Sequence, residues 1–212
     1  MTSRFTDTLR TLSQSQWSQA VTHRFVRELY DGSINHQVMI NYLVQDYRFL
    51  DSFLTLVGSA IACADTPAAR LCFGRCAGMV SSEENTYFLR AFAALGVSEQ
   101  QRNVQSDTAP TVGFKAIMLE AAATRSYAAI LTVLNVAEWL YLDWASQAPE
   151  MLPASFVHAE WITLHNNPDF CEFVAFLRHE LDRVGPEQRS LCEDFFQRAV
   201  RLELAFFDAV YQ

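Results

Sequence analysis

The sequence predicts an all-α protein folded as one domain, and three observations carry that expectation. Its seven Gly and six Pro gather at a few breaks rather than at short regular intervals. Between the breaks, apolar residues recur at the three- and four-residue spacing of a helix face. No run alternates apolar and polar residues between turn signals, so no sheet is expected. A length of 212 residues suits a single domain spanning 1–212, and 50% hydrophobic residues with 16 Phe can fill a large core. Neither an internal repeat nor a low-complexity linker subdivides the chain.

The helical pattern opens as a pair of helices over 5–30, ended by Asp31-Gly32-Ser33. One long helix is expected from Asn35 to Ala64. Thr66 is a natural N-cap for the next, with Pro67 in the first helical position, where its missing N–H costs nothing. That helix runs to about Leu95 and stops at Gly96, and a polar loop covers Ser98 to Ala109. Pro110 opens a helical region to about Ala148, interrupted near Thr124, and Pro149 and Pro153 bracket a loop. Helices follow from Ala154 to His165, ending at Asn166-Asn167-Pro168, and from Asp169 to Val184, ending at Gly185-Pro186. The last runs from Glu187 to Tyr211. Gly58, Gly74 and Gly78 fall inside helical patterns, where each costs about 1 kcal/mol relative to Ala. Close helix–helix approach is the expected offset.

Composition narrows the function. Lys and Arg number 16 against 24 Asp and Glu, a net charge of -8 with no basic cluster, so nucleic acid is not an expected partner. The start, Met1-Thr-Ser-Arg-Phe-Thr-Asp7, lacks the charged-then-apolar layout of a signal peptide. The most apolar stretch, Phe49 to Ala64, is broken by Asp51 and Ser52 and is too short to span a bilayer. No membrane partner is expected, and the cytoplasm is the expected compartment. The odd cysteine set, Cys63, Cys72, Cys76, Cys171 and Cys192, points to free thiols. Cys72 and Cys76 stand one helical turn apart without a second ligand pair, so they read as buried small residues rather than zinc ligands.

The informative feature is acidic residues on faces that should be apolar. Asp46 shares a face with Tyr42, Phe49, Leu50 and Phe53; Glu138 lies one turn from Leu134, Tyr141 and Leu142; Glu203 lies one turn from Ala199, Phe206 and Phe207. An isolated buried carboxylate must pair, hydrogen-bond or stay protonated. Taken singly, each could pair with an Arg or a backbone group inside the core. Three on three long helices favour one shared polar pocket, where carboxyl groups of raised pKa suit general acid–base work.

Among the histidines, His23 lies near the end of an early helix beside Arg24 and Glu28, a capping or surface setting more than an axial-ligand one. His36 falls in the first turn of a helix, and His179 in a solvated stretch. His158 and His165 are seven apart, and His165, just before Asn166-Asn167-Pro168, could point inward. No HExxH and no di-iron Glu/His pairing is present.

Four segments together resemble the TenA family, also called thiaminase II. Tyr42-Leu-Val-Gln-Asp-Tyr47 resembles its L-x-Q-D-Y signature, and Trp161-Ile-Thr-Leu-His-Asn-Asn-Pro-Asp-Phe170 its W-I-…-F segment. Glu203-Leu-Ala-Phe-Phe207 with Tyr211 resembles the closing E-x-x-F-W-…-Y motif, and Glu138-Trp-Leu-Tyr141 falls where the helix with the catalytic Cys passes. The resemblance implies a heme-oxygenase-like bundle without heme, a homotetramer, and an aminopyrimidine held between aromatic rings. It implies that Asp46 binds the pyrimidine, that Glu203 is the acid–base residue and that Tyr141 is a pocket tyrosine. Phe49 and Phe53 would line the ring site, and Tyr47, Phe114, His165 and Phe206 would also contact substrate. Aligning Tyr141 puts Ala137 where the nucleophilic Cys stands, so the chain resembles the subgroup without that Cys. Phe114 and His165 occur where many members carry Tyr.

The activity this implies is hydrolysis of 4-amino-5-aminomethyl-2-methylpyrimidine, or of its N-formyl form, in thiamin salvage. Asp46, Glu138 and Glu203 are the expected catalytic residues, with Glu138 orienting or activating water and with neither metal nor organic cofactor. The rivals are a pyrimidine-binding or regulatory homologue without turnover and a cofactor- or metal-dependent oxidase on the same fold.

Overall fold

The structure is a computed structural model that describes residues 4–212. Met1–Ser3, the start of the N-terminal stretch discussed above, lie outside the described residues. Helices joined by short turns make up the described chain, with no strand among them.

The opening segment is three short helices rather than two: α1 (Phe5–Leu12), α2 (Gln14–Val21) and α3 (Arg24–Asp31). His23 supplies the break before α3. Its Nδ1 accepts from the Phe25 N–H at 3.0 Å as the N-cap, and its Nε2 meets Asp208 at 3.2 Å. His23 is therefore a capping residue. Gly32 closes α3 in the left-handed conformation, φ 66, which a side chain would resist.

The long helix expected from Asn35 to Ala64 is also divided, into α4 (His36–Tyr47) and α5 (Phe49–Cys63), meeting at Arg48. The Arg48 guanidinium reaches Asp107 at 2.5 Å and the carbonyls of Arg102 and Gln105. Gln45 donates to the Ser106 carbonyl at 3.0 Å and accepts from the Thr108 N–H at 3.0 Å and the Thr111 hydroxyl at 2.7 Å. This clamp orders the stretch expected to be a polar loop. That stretch contains the short α8 (Glu99–Val104), opened by a capping box of Ser98 and Gln101.

Thr66 caps α6 (Pro67–Met79) through the Ala69 N–H at 3.1 Å, as expected. The helix then widens into a π turn, Val80–Glu84, before α7 (Asn85–Ala94). One extra residue in a turn rotates the surface beyond it by about 100°. The chain continues as α9 (Ala109–Thr124), α10 (Tyr127–Ala145), α11 (Phe156–Leu164), α12 (Pro168–Val184), a 3-10 turn (Gly185–Gln188) and α13 (Arg189–Ala209).

Helix α10 has no polar face, and nearly every residue in it is buried. A helix apolar all round belongs in a core, and α10 packs against α2, α5, α9, α12 and α13. All five cysteines are free thiols. No helix among the described residues is long and apolar enough to cross a membrane.

The expected role of three glycines is not what the structure shows. A Cβ at Gly58, Gly74 or Gly78 would meet nothing within 4 Å, so no close helix approach offsets their helix cost. Close approach occurs instead at Gly113, where a Cβ would stand 2.7 Å from Leu202, and at Gly185, against the Phe5 ring. Gly74→Ala should therefore stabilise the protein by about 0.5–1 kcal/mol, and Gly185→Ala should destabilise it. Urea midpoints of both variants against the parent check the pair.

Candidate active site

A cavity of about 490 Å³ lies between α4–α5, α6 with its π turn, α9, α10, α13 and the corner joining α11 to α12. That volume suits a small-molecule site. Asp46 from α4, Glu138 from α10 and Glu203 from α13 all line it. A fourth carboxylate, Glu84 from the π turn, joins them. Asp46 is 8% exposed and Glu203 4%, while Glu84 and Glu138 keep part of their surface open to the cavity.

None of the four has a cation beside it among the described residues. Other enclosed acids do have partners. Asp143, on the same helix as Glu138, accepts from the Trp17 indole at 2.7 Å and pairs with Arg10 at 2.7 Å. Glu180 accepts from the Tyr127 hydroxyl at 2.9 Å and pairs with Arg183 at 2.7 Å. Pairing inside the core accounts for those two and not for the cavity set.

Burial without a counter-ion favours the neutral acid. It pushes Glu84 up to about 7. Asp46 is driven well above its usual range by burial and then by the Glu84 charge, with a hydrogen bond from Tyr141 pulling partly the other way. Glu138 rises by burial and then by the charges of Glu84 and Asp46. Glu203 rises by burial and then by those of Asp46 and Glu138. No group of three or more His, Cys, Asp or Glu among the described residues is placed to hold a metal ion.

The walls are aromatic. Phe49 packs on Phe114 at 5.4 Å between ring centres, and Phe53, Phe170 and Phe173 line the cavity with them, alongside aliphatic residues such as Leu50 and Met118. A buried polar chain backs one side: the Trp161 indole donates to the Tyr42 hydroxyl at 3.0 Å, which lies 2.9 Å from the Tyr141 hydroxyl. If Tyr141 gives its only proton to Asp46, Tyr42 must donate to Tyr141, so the chain runs Trp161 to Tyr42 to Tyr141 to Asp46. His165 lines the cavity 4.9 Å from the Tyr141 ring. Its Nδ1 lies 2.7 Å from the Trp161 carbonyl and therefore carries the proton. Burial lowers its pKa to about 4, so the ring is neutral and Nε2 is an acceptor.

Two residues expected at the site are not on its wall. Tyr47 packs instead on Phe88 and Phe92, at 5.3 and 5.5 Å, with its hydroxyl 3.4 Å from Asn85. It follows Asp46 directly, and one helical step turns a side chain by about 100°. Phe206 is buried behind the wall, 5.0 Å from Phe49. Phe49, Phe53, Phe114, Tyr141 and His165 do line the cavity. Sequence reasoning missed Glu84, although Val80 and Phe88, four residues to either side, carried the same signal that marked the other three. It also missed that Cys76 of α6 reaches the wall. Burial first, then the Glu138 and Glu84 charges, push that thiol far up, away from a reactive thiolate.

The model of the TENA/THI-4/PQQC family matches residues 12–212. An aminopyrimidine aminohydrolase of Halalkalibacterium halodurans is 23% identical over 98% of this chain and 95% of its own. A TenA homologue protein from P. horikoshii OT3 superposes with a TM-score of 0.89 at 21% identity, over 99% of each chain. A domain of unknown function with a heme oxygenase-like fold from Shewanella denitrificans gives 0.70 at 15% identity, over 97% of this chain and 91% of that one. The fold of this chain is therefore heme oxygenase-like, as the resemblance implied.

A carboxyl group whose pKa is raised on folding costs stability once the pH passes its unfolded value of 4.5, and the cost grows until the folded pKa is reached. Glu203→Gln removes that titration. Its melting temperature should exceed the parent's by a margin that widens as the pH rises above about 5, by about 2–4 °C per kcal/mol. A constant margin would mean that Glu203 is not held protonated.

Proposed function

The chain belongs to the TENA/THI-4/PQQC family, and we propose that it is a hydrolase acting on an aminopyrimidine, 4-amino-5-aminomethyl-2-methylpyrimidine or its N-formyl form, in thiamin salvage. The observation that carries this proposal is the set of uncompensated carboxyl groups in an aromatic cavity. Such a site suits a flat ring rich in nitrogen. The rings of Phe49 and Phe114 offer faces for stacking, protonated acids donate to ring nitrogens, and neutral His165 accepts from an amino group.

In this scheme Asp46 anchors and polarises the ring through a ring nitrogen, which makes the exocyclic amine a better leaving group. Glu203, protonated, gives its proton to the exocyclic nitrogen as the C–N bond breaks, and the bonding pair leaves with ammonia. Water held by Glu138 forms the new C–O bond, and a cavity carboxylate takes the proton it sheds. The products are the hydroxymethyl-pyrimidine and ammonia. Ala137 at the wall leaves room for that water where the resemblance places a thiol in other members. The N-formyl substrate would use the same groups, with water attacking the formyl carbon and formate released.

Ammonia release from the aminomethyl-pyrimidine and formate release from its N-formyl form test the assignment. Glu203→Gln should lower kcat at least about 100-fold, the scale of a lost general acid, while a calorimetric titration still shows pyrimidine binding. Asp46→Asn should weaken binding as well. A parent protein that binds the pyrimidine and releases neither product would be a binding homologue.

A further inference from the structure

The proposed hydrolysis needs a group to receive the water's proton, and of the three cavity carboxylates without a part in it, Glu83 and Asp169 are exposed and Glu84 is half-buried. Its position is built rather than incidental. The π turn that carries it interrupts a continuous α-helical run. On one side, α6 is held by buried Phe73 and Cys76. On the other, α7 is held by Tyr87 and Phe88, whose rings lie 5.1 and 5.3 Å from Trp161. A widened turn pinned from both ends presents its carboxylate to the cavity, and such turns recur at functional sites.

The turn also borders a second groove. Glu83, Leu164 and Asn167 line both the cavity and a more open groove beside it, which continues past Ser82, Thr86 and Arg90. Glu84 is therefore one residue from the lining that the cavity shares with this groove, and it is less enclosed than Asp46 and Glu203. The groups sharing the cavity with it are Glu83 from the same turn, Asp46 from α4, Cys76 from α6, Glu138 and Tyr141 from α10, and Glu203 from α13. His165 and Asp169 face it from the α11–α12 corner, and no Lys or Arg lines the cavity among the described residues.

We propose that Glu84 is the general base of the reaction, taking the proton from the water that Glu138 orients. The inference rests on the aminopyrimidine hydrolysis proposed above. In that step the water oxygen forms the C–O bond and its proton passes to the Glu84 carboxylate. The C–N bond breaks toward nitrogen, which receives the Glu203 proton and leaves as ammonia. Glu84 then returns its proton to solvent, and Glu203 is reprotonated. Burial brings the Glu84 pKa to about 7, and its charge is the largest of the neighbouring charges that raise Asp46 and Glu138. That value is close to the optimum for a base at neutral pH.

The test is steady-state ammonia release by the full chain across pH 5 to 9 for the parent, Glu84→Gln, Glu84→Asp and Glu138→Gln. The parent's kcat should rise with pH through about 7, as Glu84 ionises. Glu84→Gln should lose about 100-fold or more in kcat and lose that rise, with KM changed only a few-fold because Asp46 still anchors the ring. Glu138→Gln should be slower but keep the rise. If Glu84→Gln does not fold, Glu84→Asp decides: a slowed enzyme that retains the rise supports the base, and an unslowed one overturns it. Parent-like kcat and pH profile in a folded Glu84→Gln overturns the inference and leaves aminopyrimidine hydrolysis standing. No ammonia from the parent at any pH overturns hydrolysis of the aminomethyl substrate and the base role with it.

Discussion

Four carboxyl groups enclosed by an aromatic core without a cation are the constraint on which the site depends. An ionised carboxylate is stabilised by water, a counter-ion or donated hydrogen bonds, and losing all three costs several kcal/mol. The protein holds these groups protonated or sharing few charges, with Glu84 titrating near about 7. A soluble domain is only marginally stable, so a set this unfavourable has to be held in place by the surrounding packing.

That packing comes from the elements that make the chain all-helical. Helix α10 forms the centre because it has no polar face, and it carries Glu138 and Tyr141 into the cavity on one side and Asp143 into an ion pair on the other. Tyr42, Trp161 and Tyr141 lock three helices together through hydrogen bonds at 2.9 and 3.0 Å, fixing the wall beside Asp46. The Gln45 and Arg48 clamp ties the α4–α5 junction to the segment before α9. Asp46 and Phe49 leave that junction for the cavity, while Tyr47 turns away from it. Stability and site chemistry thus share the same few side chains.

Much of this was legible in the sequence where it is local. Helical spacing placed Asp46, Glu138 and Glu203 on apolar faces, and Thr66 and Pro67 marked a helix start that the structure bears out, while His23, expected near a helix end, caps the start of α3 instead. What depends on neighbours distant in the chain was not. Neither Gly nor Pro announces the break at Arg48, which coincides with contacts some 54 to 59 residues away. Glu84 has Val80 and Phe88 one turn to either side, but Ser81, Ser82, Glu83 and Asn85 immediately around it dilute that signal, and the π turn that directs it has no sequence signature of its own. Phe206 carried the helical spacing of a wall residue, yet Phe49 stands between it and the cavity.

The most direct test is the protonation state of the cavity's carboxyl groups. Infrared spectroscopy separates the carbonyl stretch of a protonated carboxylic acid from the bands of ionised carboxylates, and at neutral pH the exposed acidic residues contribute only the latter. The account predicts a protonated-acid band in the parent protein at pH 7, diminished in Asp46→Asn and again in Glu203→Gln. A spectrum at that pH containing only ionised carboxylate would contradict it.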